Sequence, residues 1–172
     1  NPVQVRDWTG VSLPMHIVPS GMVVLAHWPD EAVDRYLARK LDRYTPRSVT
    51  DPQRLRERLD KIREDDVSWM EEEFSEGINS VAAPLFNGAG AVVGALHSHG
   101  PSYRFPDEAL RDIIADRVRS TAVAISSALG HVVRSRRSNL AARLPGIGPS
   151  TRSAVHGAIT SVAIGTSDRR GA

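Results

Sequence analysis

The sequence has no cysteine among its 172 residues, and this absence removes several classes of protein. A chain without thiols cannot form a disulfide scaffold, a cysteine-ligated zinc finger or a cysteine nucleophile. It also lacks any run of roughly 18 uncharged apolar residues, so no segment is predicted to span a membrane. A phosphate-binding glycine loop and a G-x-S-x-G nucleophile elbow are missing as well.

The residues that are present are typical of a globular protein. Apolar residues make up 41% and charged residues 24% of the chain, which argues against wholesale disorder, collagen-like repeats and a coiled coil. The length suffices for one domain with a core, or for one domain with an appendage. The first residue is asparagine and no signal-peptide pattern follows it, so we expect either a fragment or a missing start.

The net charge of +2 conceals an uneven distribution. Residues 1–130 have 15 Lys and Arg against 19 Asp and Glu, whereas residues 131–172 have seven Arg against one acid. We therefore predict an acidic body followed by a basic C-terminal extension. The arginine cluster of the extension could contact phosphates, or it could lie at a solvated helix end; the second interpretation is favoured, because no aromatic residue lies between the arginines. The cluster consists of Arg134, Arg136, Arg137 and Arg143.

Helix start signals precede three segments in the first half of the body. Pro19 and Ser20 begin an apolar helix over residues 20–26. Asp30 is predicted to cap a second helix, and Thr50-Asp51-Pro52 to begin a third. The inward faces of the second and third helices are predicted from helical spacing. They consist of Ala32, Val33, Tyr36, Leu37 and Leu41 in the second helix, and of Leu55, Leu59 and Ile62 in the third.

Strand patterns lie on both sides of these helices. Residues 3–10 predict a short strand and a turn. The apolar runs 78–86 and 91–98 are of strand length, and Asn-Gly-Ala-Gly at 87–90 predicts a hairpin turn between them. The run 158–164 could pack as a further strand and partly cover a sheet edge.

A long helix is predicted from Pro106 to Gly130, because apolar residues keep helical spacing throughout this segment. Its exposed side could serve an interface between subunits. Antiparallel strands combined with these helices predict an α+β fold. The apolar stripe of the long helix consists of Leu110, Ile113, Ile114, Val118, Ala122, Ile125 and Leu129.

Two histidines give the first indication of a site. His97 and His99 are two residues apart on a predicted strand, so both side chains leave the same face of the sheet. The pair could ligate a metal together with His16, or it could form a hydrogen-bonded polar patch in a pocket. We favour the pocket, because no carboxylate lies nearby in the sequence to complete a metal site.

An acidic run, Glu71-Glu72-Glu73 with Glu76, offers paired carboxylates for acid/base chemistry. Three consecutive acids more often form a solvated turn, and we favour that interpretation. No catalytic constellation is recognisable in the sequence. We therefore predict that the protein is not an enzyme.

The remaining polar features predict a binding site. Backbone N–H groups at the start of the Ser20 helix attract an anion. The face that carries His97 and His99 supplies hydrogen-bond donors, and Ser80 on the neighbouring strand adds a hydroxyl group. If these groups converge, they form a site for a small polar or anionic molecule.

Four blocks of the sequence follow one another in the order known from one protein family. Leu-Pro-Met-His at 13–16, with residues 20–26, is similar to the signature L-P-[LM]-H…G-K-A-x-L-A. Residues 45–55 resemble the T-P…T…L connection, and residues 72–86 resemble the block E-E-x-x-x-G…A-A-P-[VIL]-F. Residues 95–101 resemble the strand end A-x-S-x-S-G-P, and Arg104 follows as in the family. Together these blocks resemble the IclR family of bacterial transcription regulators.

The resemblance implies a GAF-like or profilin-like effector-binding domain, an antiparallel sheet flanked by helices, over residues 1–130. In the family such a domain follows a winged helix-turn-helix domain, which we expect upstream and which would contact operator DNA. The first strands of the effector domain are expected to be missing here, and residues 131–172 lie outside the family pattern. The resemblance further implies a cytoplasmic homodimer or homotetramer without a metal or other cofactor.

The resemblance also places the effector site in this sequence. The family's helix-terminal amides correspond to Pro19 and Ser20, next to Gly21, and its ligand-binding acid corresponds to Met70. Its frequent Cys or Ser corresponds to Ser80, and its two strand serines correspond to His97 and His99. The predicted effector-binding residues are therefore Pro19, Ser20, Gly21, Met70, Ser80, His97 and His99.

Three departures from the family pattern change the expected ligand. Pro19 has no N–H to donate, Met70 makes one wall apolar, and His97 and His99 are larger than serine and can carry positive charge. We therefore expect a small organic acid with an apolar or aromatic body. Two alternatives stay open: a degenerate dimerisation domain without a ligand, whose pocket the histidines fill, and a metal-dependent enzyme.

Overall fold

The computed structural model describes residues 12–132, together with the backbone of residues 159–164. The predicted strand and turn at 3–10 lie outside these residues, as does the arginine cluster of the extension. In the described part of the chain, no helix is long and apolar enough to cross a bilayer.

The centre of the fold is one antiparallel sheet. Strand β1 is Ser68–Glu71, β2 is Ile78–Phe86, β3 is Val92–Pro101 and β4 is Ile159–Ile164. The strands lie side by side in the order β1-β2-β3-β4. The predicted run near the C-terminus therefore does form a strand, and it covers the edge of β3.

Helices surround the sheet as the α+β prediction requires, which confirms the fold class. A 3-10 turn precedes the first helix and another precedes the last, so the long helix begins later than predicted. The α-helices are α1 Pro19–Ala26, α2 Asp30–Leu37, α3 Pro52–Asp65 and α4 Arg111–Ala128, and the 3-10 turns are Met15–Ile17 and Glu108–Leu110.

Each face of the sheet packs against its own helices, because side chains alternate between the two faces along a strand. One face covers the core beneath α1, α2 and α3. The other face packs against α4. The first core includes Met22, Leu25, Val33, Leu55, Leu59, Met70, Ala82 and Ala95. The second includes Val81, Ala83, Leu85, Leu96, Phe105, Val118 and Ala122.

Local signals in the sequence predicted several of these elements correctly. The carboxylate of Asp51 accepts a hydrogen bond from the Arg54 N–H at 2.8 Å and so caps α3. In the hairpin turn, the Gly90 N–H donates to the Asn87 carbonyl at 2.9 Å. Gly90 has a φ of +76°, a conformation that glycine adopts without steric cost.

Other expectations were wrong in detail. Pro29, not Asp30, is the N-cap of α2, and the Asp30 carboxylate instead accepts a hydrogen bond from Arg63. Strand β1 was not predicted, because four residues with little alternation resemble a loop. On α4, Ile113 and Leu129 are 44% and 49% exposed; the buried positions of the helix are Ala115, Val118, Ala122 and Ser126.

A close backbone contact holds α1 against the preceding 3-10 turn. A Cβ atom at Gly21 would lie 2.5 Å from both the Cα and the carbonyl oxygen of Met15. No side chain fits in this space, so Gly21 allows α1 to approach the turn. This contact determines how closely α1 packs against the 3-10 turn.

We predict that Gly21→Ala destabilises the protein by about 1–3 kcal/mol, because the added methyl group overpacks a backbone contact. At an ordinary helix position, replacing glycine by alanine stabilises a protein by up to about 1 kcal/mol. The sign of the change in unfolding free energy therefore shows whether the close contact is present. Urea unfolding monitored by circular dichroism measures the effect. Thr121→Ala, on the exposed side of α4, is the control and should change stability by less than about 0.5 kcal/mol. A Gly21→Ala variant as stable as the wild type would contradict the prediction.

Candidate ligand-binding site

A cavity of about 120 Å³ lies between the start of α1, one face of the sheet and the loop that joins β1 to β2. Six of the seven predicted site residues line it: Pro19, Ser20, Met70, Ser80, His97 and His99. The other lining residues are Leu13, Val18, Glu73, Phe74 and Ile78. Most of the wall is apolar, and the polar groups are few and converge, as is usual for small-molecule sites.

The start of α1 supplies backbone donors at one side of the cavity. Val18 is the N-cap and provides no side-chain hydrogen bond, and Pro19 is the first helical residue. The N–H groups of the first turn have no partner within the helix, so the amides of Ser20 and Gly21 remain as uncapped donors of that turn. Gly21 itself is not among the residues that line the cavity; its α-carbon contacts Met15 instead.

Strand pairing brings the predicted side chains from three strands into one row. Ser80 of β2 lies opposite Met70 of β1 and, on its other side, opposite His99 of β3. His97 lies opposite Ala82. Because neighbouring strands are about 4.8 Å apart, the row from His99 through Ser80 to Met70 is roughly 10 Å long.

The two histidines are hydrogen-bonded to each other. His99 Nδ1 and His97 Nε2 are 3.3 Å apart, and the rings stack with centroids 5.4 Å apart. A hydrogen bond between two neutral imidazoles holds one proton between the two nitrogens, so the tautomers of the rings are coupled.

Burial keeps both histidines neutral in this structure. Desolvation, reinforced by the neighbouring His99, lowers the pKa of His97 from 6.5 to about 4. Desolvation lowers the pKa of His99 as well. The imidazoles can carry positive charge, but burial penalises the charged form and favours neutral rings at neutral pH.

The three consecutive acids are each paired and Glu73 is buried, so the run is not simply the solvated turn that we favoured. Glu73 is only 6% exposed, and Arg58 Nη1 donates to its Oε1 and Oε2 at 2.9 and 2.8 Å. Glu72 Oε2 accepts a hydrogen bond from the Gly77 N–H at 2.8 Å. Glu71 forms an ion pair with Arg111 of α4 at 2.6 Å. Each of the three consecutive acids therefore has its own partner. Arg58 and Arg111 are remote in sequence, and the Gly77 N–H reaches Glu72 through the conformation of the loop.

A short polar segment fixes the loop that carries Glu73 and Phe74. Thr45 Oγ1 donates to the carbonyl oxygens of Glu72 and Glu73 at 2.7 and 3.2 Å. Ser48 Oγ donates to the same Glu73 carbonyl at 2.6 Å. Thr45 and Ser48 are both buried. These bonds hold the loop over the cavity in one conformation.

The sequence interpretation missed the wall that this loop forms. Only the Glu-Glu-Phe segment at 72–74 pointed to it, through the resemblance, and neither Glu73 nor Phe74 was expected in the site. Phe74 packs against Tyr44 with ring centroids 5.7 Å apart. Leu13, Val18 and Ile78 carry no chemical signal in the sequence.

His16 lies away from the cavity and is engaged elsewhere. Its Nδ1 is 3.0 Å from the Tyr36 hydroxyl group, and its Nε2 is 3.0 Å from the Asp42 carbonyl oxygen. It therefore does not join His97 and His99 as a third ligand. Among the described residues, no three His, Asp or Glu side chains are grouped so that they could hold a metal ion.

The neutral state of His97 makes stability depend on pH. The unfolded chain binds a proton at this residue between pH 6.5 and about 4, whereas the folded chain does not. Folding stability is therefore expected to fall as the pH decreases through this window. Because His97 is partly exposed, we expect its share to be about 1–2 kcal/mol, less than the full linkage value.

Urea unfolding of the wild type and His97→Gln at about pH 7 and about pH 4.5 measures this share. The variant should lose less stability on acidification, since it has no imidazole to protonate, and the other titrating groups are common to both proteins. Equal losses in the two proteins would contradict the prediction.

Comparison with known proteins gives a consistent result. The family described as "Bacterial transcriptional regulator IclR C-terminal" matches residues 1–127. The HTH-type transcriptional repressor AllR of Klebsiella pneumoniae is 35% identical over 123 residues, which cover 70% of this chain and 44% of that protein. The chain thus spans less than half the length of this relative.

Solved structures show the same fold. An IclR-type transcriptional regulator from a Silicibacter species superposes with a TM-score of 0.70 and 28% identity, covering 77% of this chain and 52% of the other. The inducer-binding domain of the PobR transcription factor from Acinetobacter, a double mutant in complex with 3-hydroxybenzoic acid, superposes with a TM-score of 0.62 and 29% identity over 66% of each chain. With its sheet, its cavity and a family match over nearly three quarters of its length, the chain belongs to the IclR family and contains the family's C-terminal domain.

Proposed function

We propose that the chain is the effector-sensing part of a transcription regulator and binds a small organic acid with an apolar or aromatic body. The observation that carries this proposal is the cavity that brings Ser20, Ser80, His97 and His99 together beneath apolar walls. Residues 1–130 would form the sensor and residues 131–172 a basic extension. A winged helix-turn-helix domain in the same protein would contact operator DNA.

A carboxylate suits the polar side of the cavity. The uncapped amides of the first turn of α1 carry the positive end of the helix dipole. A neutral imidazole donates one hydrogen bond through its N–H group, and the Ser80 hydroxyl group donates another through its O–H group. These donors could bind a carboxylate without a buried positive charge on either imidazole.

The remaining lining suits an apolar or aromatic body. Met70 is 2% exposed and lies opposite Ser80 on β1, and Phe74 contributes to the cavity wall. An apolar wall at Met70 disfavours small hydroxy- or oxo-acids that need a carboxylate acceptor there. The PobR domain, a structural neighbour, holds 3-hydroxybenzoic acid, which is an acid of the proposed class.

In the whole protein, ligand binding would shift the equilibrium between conformations or between oligomeric states and so reposition the DNA-binding domains. We propose a cytoplasmic homodimer or homotetramer. The alternative of a degenerate domain without a ligand predicts that the two histidines fill the pocket. A cavity remains beside them, and this observation disfavours the alternative. The alternative of a metal-dependent enzyme loses its third ligand, since His16 bonds elsewhere.

Calorimetric titration with 3-hydroxybenzoate tests the proposal. We expect His97→Ala to weaken binding by about tenfold or more, the usual effect of removing a hydrogen bond to a charged group. His27→Gln is the matched control, because His27 does not line the cavity and contacts Asp66 instead. Equal affinities of the wild type and His97→Ala would exclude a role for His97. Failure of all aromatic acids to bind the wild type would refute the proposal.

Binding should also take up protons. A carboxylate next to the His97–His99 pair favours the imidazolium form, so it raises the pKa of His97, which burial lowers to about 4. Affinity is therefore expected to increase as the pH falls from about 8 to about 5.5. Calorimetry in buffers of different ionisation enthalpy measures the proton uptake, which should disappear in His97→Gln/His99→Gln. Binding without net proton exchange would contradict this expectation.

A further inference from the structure

Among the described residues that line the cavity, Glu73 is the one acid, and the proposed function gives it no role. Glu73 is 6% exposed, and it lines the same cavity as Ser80, His97 and His99. An acid in the wall of a site for an acid is at first sight unfavourable. Its place in the cavity suggests what it does.

The donors and Glu73 belong to different elements of the cavity wall. Moving across the sheet from His99 of β3, the row passes Ser80 of β2 and reaches Met70 of β1. Glu73 lies beyond β1, in the loop that follows Glu71. The carboxylate of the cavity wall therefore belongs to the loop, whereas the donors belong to α1, β2 and β3.

The carboxylate of Glu73 retains capacity to accept hydrogen bonds. An ionised carboxylate offers about four lone-pair sites, and Arg58 Nη1 makes one contact to each oxygen. The ion pair with Arg58 offsets the charge but does not use all acceptor sites. If a ligand has no hydrogen-bond donor and displaces water from this wall, the remaining acceptor sites of Glu73 are left unpaired. Unpaired acceptors are costly for a buried charged group.

The position of Glu73 is fixed before any ligand arrives. Thr45 and Ser48 hold its carbonyl oxygen, and Arg58 of α3 holds its carboxylate. A preorganised acceptor discriminates strongly between ligands, because it cannot turn away from one that lacks the matching donor.

We infer that Glu73 determines specificity by accepting a hydrogen bond from a hydroxyl or amino group on the body of the bound acid. The site would then take hydroxy- or amino-substituted aryl carboxylates in preference to unsubstituted ones. This inference rests on the proposed function, since the carboxylate end of the same ligand is held by α1, Ser80 and the histidines.

The test compares ligands and variants in one calorimetric series on the full chain. The ligands are benzoate, 3-hydroxybenzoate, 4-hydroxybenzoate and 3-methoxybenzoate, so that the methoxy compound supplies bulk without a donor. The proteins are the wild type, Glu73→Met and Glu76→Met. Glu76 is the matched control, because it is an exposed acid in the same loop.

We expect the wild type to bind at least one hydroxybenzoate about tenfold or more tightly than benzoate and the methoxy compound, the usual scale for a buried charged acceptor. Glu73→Met should reduce this ratio to about threefold or less, while Glu76→Met should keep it. The ratio isolates the hydroxyl group, since a general loss of affinity or stability affects all four ligands.

Two results would overturn the inference and leave the proposed function standing. One is equal binding of benzoate and both hydroxybenzoates to the wild type, a comparison that does not depend on whether any variant folds. The other is a Glu73→Met variant that retains the wild-type ratio. If none of the four acids binds the wild type, the inference falls together with the proposed function.

Discussion

The register between β2 and β3 is the constraint on which the site depends. Because side chains alternate along a strand, a slip of β3 by one residue against β2 would turn His97 and His99 to the face opposite Ser80. The register places Ser80 opposite His99 and leaves both on the face that α1 approaches. Burial of Val81, Ala83 and Leu96 against α4 on the other face enforces the same register. The packing of one core thus positions the polar groups of the cavity.

Burial gives this cavity its electrostatic character. Two imidazoles that would be partly protonated in water near pH 6.5 are held neutral by desolvation, and they share a hydrogen bond. The charge of the acid in the same cavity wall, Glu73, is offset by Arg58. The site therefore presents donors and acceptors with little net charge. A site of this kind selects a ligand by hydrogen-bond complementarity and apolar contact more than by charge.

Local patterns predicted much of the framework because their causes are local. The Asp51 cap, the glycine turn at Gly90 and the apolar face of α3 follow from backbone chemistry and helical spacing. Predictions went wrong where a distant neighbour decides. Ile113 was assigned to the apolar stripe of α4 yet is exposed, because the sheet contacts the side of the helix that carries Ala115 and Ser126. Leu129 is exposed although it lies on that side, and it is the C-cap at the end of the helix. The short β1 exists because β2 provides its hydrogen-bond partners.

By itself, the sequence determined the α+β class, the hairpin with His97 and His99 on one face, and the family to which the chain belongs, since each follows from spacing or from the order of motifs. Only the tertiary structure decided the protonation of the histidines, which depends on burial, and the place of His16, which depends on Tyr36 and Asp42. It also decided the role of the acidic run. Whether an acid is solvated or buried depends on Arg58 and Thr45, residues 15 and 28 positions away from Glu73, and no local pattern reports such a contact.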